Sequence, residues 1–318
     1  MKAMVITSFG SSEVLEQRDA PKPEPGPHDL LVKIVATAAN PCDYQTRRGD
    51  YKDDVECPAI IGIDASGVVE AIGTDVAKFK PGDEVFYMME LFTRPGAFAE
   101  YNLVDESIVA LKPKNINHFE AASLPLVFST AYGCLIERAR LKVGESVLIH
   151  AAAGGVGSIA VQLARASGAY VFATCSTGSI EFVKSLGADR VIDYKTESYE
   201  SVINDETNGA GVDVVLDTIG ENTLERSPYL MKNHGRVVSI VDIAAKQSLL
   251  EAWGRNITMH FFFVEPTAHK MEVLRDLVER GEIRPVVNCI MPLTQVGEAQ
   301  LRQEQGGVQG KIVFDTSK

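Results

Sequence analysis

A glycine-rich turn is the segment of this chain whose residue types and spacing point most directly to a chemistry. Residues 151–157 read Ala-Ala-Ala-Gly-Gly-Val-Gly, directly after a predicted strand and at the start of a predicted helix. In the G-x-G-x-x-G fingerprint of dinucleotide-binding turns, Gly157 fills the third glycine position, Gly154 the second and Ala152 the first. A glycine at the second position lets backbone amides approach a diphosphate, and the helix N-terminus favours the anion. The alternative is a purely structural corner; the expected diphosphate contacts are Gly154, Gly155, Val156 and Gly157.

The loop after the next predicted strand bears on which dinucleotide is bound. A free ribose 2′-hydroxyl usually meets an Asp or Glu about 20 residues after the glycines, but residues 174–179 read Thr-Cys-Ser-Thr-Gly-Ser. Hydroxyls and a glycine leave room for a 2′-phosphate, so Ser176 and Thr177 are predicted to contact NADP(H). Tyr194 or Lys195, after the third strand, would help to hold it. Alternatively, Ser176 and Thr177 only cap the following helix.

These segments belong to an alternation of strands and helices. Six strands are predicted, at residues 147–150, 170–174, 190–193, 212–217, 236–240 and 258–264. Alternation at this spacing predicts parallel βαβ units and a doubly wound α/β sheet. Ligands bind at the carboxyl ends of such strands, so Ile240, Phe263 and Val264 are expected to surround the nicotinamide. Phe261 and Phe262, on the same predicted strand, are assigned to core packing.

The flanking regions consist of short predicted strands separated by Gly and Pro turns. After two strands within residues 1–20, strands are predicted at 30–36, 67–73, 84–87, 96–101, 107–111, 286–287 and 311–314. This pattern predicts a small β-barrel-like unit. The simplest layout is one domain formed by residues 1–121 with 265–318, into which a nucleotide-binding domain of residues 122–264 is inserted.

Composition and charge exclude several classes of function. The 318 residues include 31 Lys and Arg against 43 Asp and Glu, a net charge of −12. This balance argues against binding to nucleic acid or to an anionic membrane surface, because both need a basic face. No apolar run approaches the roughly 18–20 residues that span a bilayer. The five cysteines are scattered, so we expect no disulfide framework and a cytoplasmic location.

Several stretches together resemble one family over essentially the whole chain. Residues 144–157, followed by Gln162 and Arg165, are similar to the signature of the zinc-free quinone oxidoreductases of the zeta-crystallin type. That family is part of the medium-chain dehydrogenase/reductase superfamily. Further landmarks are matched by residues 40–44, 58–67, 80–83, 121–125 and 310–313. The resemblance implies a GroES-like catalytic domain, a Rossmann NADP(H)-binding domain and a homodimer that pairs the edge strands of the nucleotide-binding sheet.

Departures from the zinc alcohol dehydrogenases of the same superfamily bear on the chemistry. Those enzymes place a Cys where this chain has Asn40 and a His where it has Ile63. Catalytic zinc needs about three protein ligands of the Cys, His or carboxylate type, and neither residue is one. The four-cysteine structural lobe is also missing, and His150, at a strand end, is interpreted as structural. We therefore expect no metal.

Without a Lewis acid, conjugated acceptors are easier to reduce than simple ketones. Hydride addition to a quinone or an enone places negative charge on an oxygen, which needs hydrogen-bond donors and then a proton. Asn40 is a candidate to donate or to position the nicotinamide ribose, and Tyr44, with an ordinary phenol pKa of about 10, is a candidate proton donor. Tyr51 would line the pocket opening. Alternatively Asn40 fixes a turn and Tyr44 packs against the cofactor, while Asp43 organises the loop through hydrogen bonds.

Three further cofactor contacts are expected, Thr130 from its position on the helix between the domains, and Gly310 with Lys311 from the resemblance. Thr130 would contact the nicotinamide, and Gly310 with Lys311 would lie near the adenosine phosphate, unless Lys311 is an ordinary solvated lysine. The leading hypothesis is an NADPH-dependent reductase of quinones or α,β-unsaturated carbonyls. The alternatives are an enoyl-thioester reductase and a non-catalytic NADPH-binding protein that senses redox state.

Overall fold

A computed structural model describes residues 1–241 and 247–318 of the chain. Its strands are Lys2–Ile6 (β1), Leu15–Asp19 (β2), Asp29–Ala38 (β3), Ala59–Ile60 (β4), Asp64–Ile72 (β5), Glu84–Met88 (β6), Tyr101–Asp105 (β7), Val109–Leu111 (β8), Ser146–Ile149 (β9), Tyr170–Cys175 (β10), Arg190–Asp193 (β11), Val212–Asp217 (β12), Met231–Ser239 (β13), Thr258–Phe261 (β14), Val287–Pro292 (β15) and Lys311–Asp315 (β16). Its α-helices are Pro41–Arg48 (α1), His118–Ala122 (α2), Pro125–Tyr132 (α3), Gly155–Ala166 (α4), Ile180–Ser185 (α5), Tyr199–Glu206 (α6), Glu221–Arg226 (α7), Leu249–Gly254 (α8), Ala268–Glu279 (α9) and Val296–Gln305 (α10). No helix in the described ranges is both long and apolar enough to cross a membrane.

The chain divides into two compact units. The first unit comprises residues 1–126 with 265–318, and the second comprises residues 127–264. The predicted boundary between residues 121 and 122 falls at the end of α2, whereas the units divide inside α3.

The first unit is built on a mixed sheet in which the end of the chain pairs with its beginning. The strand order is β15-β16-β3-β5-β6-β8, with β7 also paired to β3. The ten-residue strand β3 is central, and β16 pairs antiparallel with it, Val313 opposite Ala38. A second, three-stranded sheet has the order β2-β1-β4. Ile6, Phe98 and Phe314 belong to one buried cluster of this unit, and the two phenylalanine rings meet edge to face at 5.5 Å.

One predicted strand of the first unit, residues 96–101, is misplaced. The observed strand β7 begins only at Tyr101. Before it, the Ala97 and Phe98 amides donate to Gly62 and Ile61 carbonyls at 2.9 Å. The chain passes so close to that segment that a Cβ on Gly96 would lie 2.3 Å from the Ile61 carbonyl carbon. The apolar residues of this segment are therefore explained by its close packing against residues 61 and 62, and they do not mark a regular strand.

The second unit contains the doubly wound sheet that the strand–helix alternation predicts. Its six strands have the order β11-β10-β9-β12-β13-β14, and every pair is parallel. The order turns back at β9, so the first βα turn of the unit lies at the switch point, where such sheets bind ligands.

The last strand of this sheet ends earlier than predicted. Strand β14 stops at Phe261, and Phe262 turns inward against Gly133, where a Cβ would meet its ring at 2.1 Å. Phe262 is buried, as expected, but the core role expected of Phe261 is wrong, because that side chain is 46% exposed. β14 is an edge strand, which explains why an apolar residue on it faces outward.

Candidate active site

The glycine turn of the second unit joins β9 to α4, as predicted. Gly154 precedes the helix in extended conformation, with φ −74° and ψ 179°, and α4 begins at Gly155. A Cβ on Gly157 would lie 2.3 Å from the Ala151 carbonyl oxygen, so the third glycine is required for the strand and helix to meet. A Cβ on Gly154 would have no protein atom closer than 3.4 Å. The space beside Gly154 and the first amides of α4 therefore suits an anion.

Strand ends beneath this turn hold its conformation. The Ala151 amide donates to the Thr174 hydroxyl at 3.3 Å and the Ala152 amide to the Thr174 carbonyl at 2.9 Å. His150 Nδ1 lies 3.2 Å from the same hydroxyl. Burial lowers the pKa of His150 to about 4, so the ring is neutral at physiological pH. The Nδ1 contact and the burial support the interpretation of His150 as structural, which stays a prediction.

The loop after β10 has a neighbour that the sequence analysis missed. The Thr177 hydroxyl donates to the Asp193 carboxylate at 2.6 Å. Asp193 ends β11 opposite Cys175, the last residue of β10, so the parallel register brings this acid to the loop. The hydrogen bond from Thr177 lowers the pKa of Asp193. The helix-capping alternative for Ser176 is wrong, because its side chain makes no cap hydrogen bond.

The other predicted cofactor contacts in the second unit follow the ends of its strands. Tyr194 comes after β11 and is 54% exposed, Ile240 comes after β13, and Phe263 and Val264 come after β14. Because the strands are parallel, these residues follow the same edge of the sheet. Thr130 is buried within α3. Their contacts with a cofactor remain predictions.

In the first unit, Asn40 and Asp43 form the reciprocal turn that starts α1. The Asn40 amide donates to the Asp43 carboxyl at 2.7 Å, and the Asp43 amide donates to the Asn40 carbonyl at 3.0 Å. Pro41 occupies the first helical position, where a missing N–H costs nothing. The loop-organising role expected of Asp43 is confirmed. Its side chain is almost completely buried, and this burial raises its pKa to about 8.

Asn40 and Lys311 come together in one buried cluster, with Asp64 as a third member. The Lys311 ammonium donates to Asn40 Oδ1 and, at 3.0 Å, to Asp64 Oδ2. Asn40 Nδ2 donates to Asp64 Oδ2 at 3.0 Å and to the Ala38 carbonyl at 3.3 Å. The remaining oxygen, Asp64 Oδ1, accepts the Leu126 amide at 2.7 Å.

This cluster changes the interpretation of both predicted residues. The alternative of a solvated Lys311 is wrong, because the residue is 4% exposed. Two of the three N–H donors of the ammonium are engaged by Asn40 and Asp64, so one is left for any contact with an adenosine phosphate. Both Nδ2 hydrogens of the fully buried Asn40 have protein acceptors, so its amide is engaged in holding the segment that precedes α1.

Gly310, which precedes Lys311, has a structural role of its own. Its φ is +68°, and a Cβ would lie 2.3 Å from Val286 Cγ1. Only glycine fits at the point where β16 begins.

Two tyrosines on or just after α1 were predicted to serve the chemistry. The Arg48 guanidinium lies over the Tyr44 ring, 5.3 Å from its centre. Burial raises the pKa of Tyr44 above its ordinary value, so the phenol holds its proton at neutral pH. The Tyr51 ring packs against Phe92 at 4.7 Å, and Phe92 lines a cavity of about 380 Å³. Tyr51 thus lies next to a pocket wall.

The two positions that hold zinc ligands in related alcohol dehydrogenases have other functions here. Asn40 belongs to the buried cluster, and Ile63 is a buried residue in the cavity wall. Within residues 1–241 and 247–318, no three His, Cys, Asp or Glu side chains are grouped so that they could hold a metal ion.

Comparison with known proteins identifies the family. Residues 26–114 match the family model of the alcohol dehydrogenase GroES-like domain, and residues 186–314 match a model described as zinc-binding dehydrogenase. The chain is 36% identical to the 2-methylene-furan-3-one reductase of Solanum lycopersicum, over 99% of this chain and 79% of that protein. It is 34% identical to the chloroplastic NADPH-dependent alkenal/one oxidoreductase of Arabidopsis thaliana, over 98% and 79%. The structure of the quinone oxidoreductase from Coxiella burnetii matches with a TM-score of 0.91 and 32% identity, covering 99% of both chains.

The fold therefore defines a GroES-like domain combined with a Rossmann domain, as predicted. The chain belongs to the medium-chain dehydrogenase/reductase superfamily and, within it, to the quinone oxidoreductase-like family.

Proposed function

We propose that the protein is an NADPH-dependent reductase of quinones and α,β-unsaturated carbonyl compounds. The observation that carries this proposal is the turn at residues 154–157, which leaves open space beside Gly154 and presents the first amides of α4 at the switch point of a parallel sheet. The names of the Arabidopsis and Coxiella relatives support the cofactor and the class of acceptor. Asp193 lies beside the ribose loop, and its carboxylate accepts hydrogen bonds from the Thr177 hydroxyl and the Lys195 amide, which offset part of its charge.

Residues of the first unit are proposed to bind the acceptor and to protonate it. When bound, NADPH supplies the hydride, and the acceptor oxygen then needs a proton. Tyr44 is the proposed donor, because its phenol is protonated at neutral pH. Asn40 acts through the backbone: its side chain, fixed by Lys311 and Asp64, holds the segment that leads into Tyr44.

A screen of NADPH oxidation against quinones and enones tests the proposal. We expect turnover with both classes and a preference for NADPH over NADH. A Tyr44→Phe variant should lose at least tenfold in kcat with an enone while KM changes little. Activity on long-chain enoyl thioesters that exceeds activity on quinones would instead indicate a thioester reductase. NADPH binding without oxidation by any acceptor would indicate a non-catalytic protein.

We also propose that the reaction needs no zinc. Neither Asn40 nor Ile63 is a usual zinc ligand. Metal analysis of protein purified without chelators should give far less than one zinc per chain. Near-stoichiometric zinc whose removal abolishes activity would contradict this proposal.

A cytoplasmic homodimer is the proposed assembly. The free edge of β14 carries Phe261, and α8 nearby in the sequence exposes Leu250 by 86% and Trp253 by 81%. Exposed large apolar side chains at a strand edge mark an association surface. Light scattering should give a dimer mass, and Trp253→Glu should shift it towards the monomer. The five free cysteines suit a reducing compartment.

A further inference from the structure

The cavity of the first unit is lined mostly by residues that the proposed chemistry does not use. Its volume of about 380 Å³ is at the lower end of the range for small-molecule sites. Helix α1 contributes Asp43 and Thr46, and the remaining wall comes from the segments 54–63 and 90–96. Since Tyr44 follows Asp43 directly on α1, the cavity adjoins the helix that carries the proposed proton donor.

The walls of the cavity are apolar. They are formed by Ile60, Ile61, Ile63, Leu91 and Phe92, among others. Ile61 and Ile63 are 7% and 6% exposed, and the Phe92 ring is fixed against Tyr51. Such walls favour an uncharged carbon skeleton, because burying apolar surface contributes about 25 cal/mol per Å².

The buried carboxyl of the cavity is also uncharged at neutral pH. Asp43 is 1% exposed, and the one hydrogen bond given to its carboxyl by the described residues comes from the Asn40 amide. Burial raises its pKa to about 8. A protonated carboxyl can donate to a neutral carbonyl oxygen. It offers no positive charge to an anion.

The exposed residues of the cavity lining include more negative than positive charges. Asp54, Glu56 and Glu90 line it, and among the described residues none of them has an ion-pair partner. The lining cation, Arg94, forms its ion pair with Asp29, at 2.6 Å, so it offsets at most part of this negative charge. A cleft lined by one sign of charge raises the local concentration of neutral and oppositely charged molecules relative to like-charged ones.

We propose that this cavity takes uncharged conjugated carbonyls or quinones, and that Asp54, Glu56 and Glu90 exclude acceptors bearing a carboxylate or phosphate. The inference rests on the proposed function and narrows it: thioesters of phosphorylated carriers are poor substrates for electrostatic reasons. The three carboxylates would repel an acceptor of like charge and so favour neutral acceptors. This repulsion weakens with salt, because the Debye length falls from about 10 Å at 0.1 M to about 3 Å at 1 M.

A matched pair of acceptors tests this directly: methyl (E)-6-oxohept-4-enoate and the corresponding free carboxylate, which share one enone. At low salt, kcat/KM with NADPH should favour the ester at least tenfold, and 0.5 M NaCl should reduce that ratio severalfold. The variant Asp54→Asn/Glu56→Gln/Glu90→Gln should raise the carboxylate-to-ester ratio about five- to tenfold, since a unit charge about 8 Å away in water is worth roughly twofold.

The control variant Glu13→Gln/Glu24→Gln/Glu272→Gln makes the same change in net charge. These acids are exposed, belong to the first unit and lie outside the cavity lining, so the ratio should stay within twofold of the original. Two results would refute the exclusion of charged acceptors while leaving the reductase activity in place. The first is that the original protein reduces the ester and the carboxylate equally well at low salt, and the second is that both variants shift the ratio alike. If the ester is not reduced at all, the proposed function is wrong, and the proposed exclusion of charged acceptors is wrong with it.

Discussion

The glycine turn of the second unit and the buried cluster of the first unit are built from different kinds of atoms. The turn uses the first main-chain amides of α4 and the space that a missing Cβ leaves at Gly154. The cluster uses the side chains of Asn40, Asp64 and Lys311, which come from three separated strands or strand ends. The turn should therefore be sensitive to added volume and indifferent to charge. The cluster should be sensitive to any change of charge.

The largest effect is expected from breaking the buried ion pair. Lys311→Met leaves Asp64, which is fully buried, without its cation. Removing one partner of a buried pair costs about 3–5 kcal/mol of unfolding free energy. Urea unfolding measures this loss.

Two further variants separate charge from packing in that experiment. Lys318→Met, which removes a cation that is 70% exposed, should cost less than about 1 kcal/mol. The double variant Lys311→Met/Asp64→Asn should regain stability over Lys311→Met, because the unpaired charge is gone. If Lys311→Met is as mild as Lys318→Met, the cluster is not the electrostatic unit described here.

The contrast between local and distant contacts also explains which features of the fold and the site could be predicted from the sequence. The turn at 151–157 and the six parallel strands are encoded by neighbouring residues, so both were predictable. Lys311 and Asp64 are 247 positions apart, and nothing in one sequence pairs them. A usable signal was present, since Asp64 is an acid within the apolar run 59–65 and needs a buried partner. Asp193 could likewise have been found by aligning the ends of neighbouring parallel strands.

The next effect concerns the two glycines of the turn, which should respond differently to the same methyl group. Gly157→Ala places a Cβ 2.3 Å from backbone oxygen, which cannot yield, so we expect a loss of about 3 kcal/mol or more in unfolding free energy. Gly154→Ala has space within the protein and should keep its stability. Its Kd for NADPH should rise at least tenfold, because the methyl group occupies the space proposed for the diphosphate.

Thermal unfolding and NADPH titration distinguish the two outcomes. Gly254→Ala is the control, since a Cβ there meets nothing within 4 Å. Unchanged NADPH affinity in Gly154→Ala would show that the diphosphate does not lie beside this residue.

An effect that is spread over several pH units is the pH dependence that Asp43 imparts to the stability of the first unit. Its pKa is raised to about 8 in the fold, so between about pH 4 and pH 8 the folded protein holds a proton that the unfolded chain releases. Stability therefore falls as pH rises through this window, by up to about 1.4 kcal/mol per unit from this group, and levels off above it. Asp43→Asn keeps an acceptor for the Asn40 amide and should lose this slope. Parallel stability curves for the two proteins between pH 5 and pH 8 would contradict the assignment.

The smallest effect is expected at the ribose loop, where the main-chain site of the second unit does depend on one side-chain charge. The Thr177 hydroxyl satisfies the Asp193 carboxylate and lowers its pKa. The carboxylate stays charged, and the hydroxyl dipole offsets part of its field; Thr177→Val removes that donor, so the carboxylate repels a 2′-phosphate more strongly. A neutral hydrogen bond is worth about 0.5–1.5 kcal/mol, so KM for NADPH should rise about two- to fivefold while KM for NADH, which lacks the phosphate, stays unchanged. Thr177→Ser keeps the hydroxyl and should behave like the original protein. An equal rise in KM for both coenzymes in Thr177→Val would mean that Thr177 stabilises the fold of the loop and does not affect recognition of the 2′-phosphate.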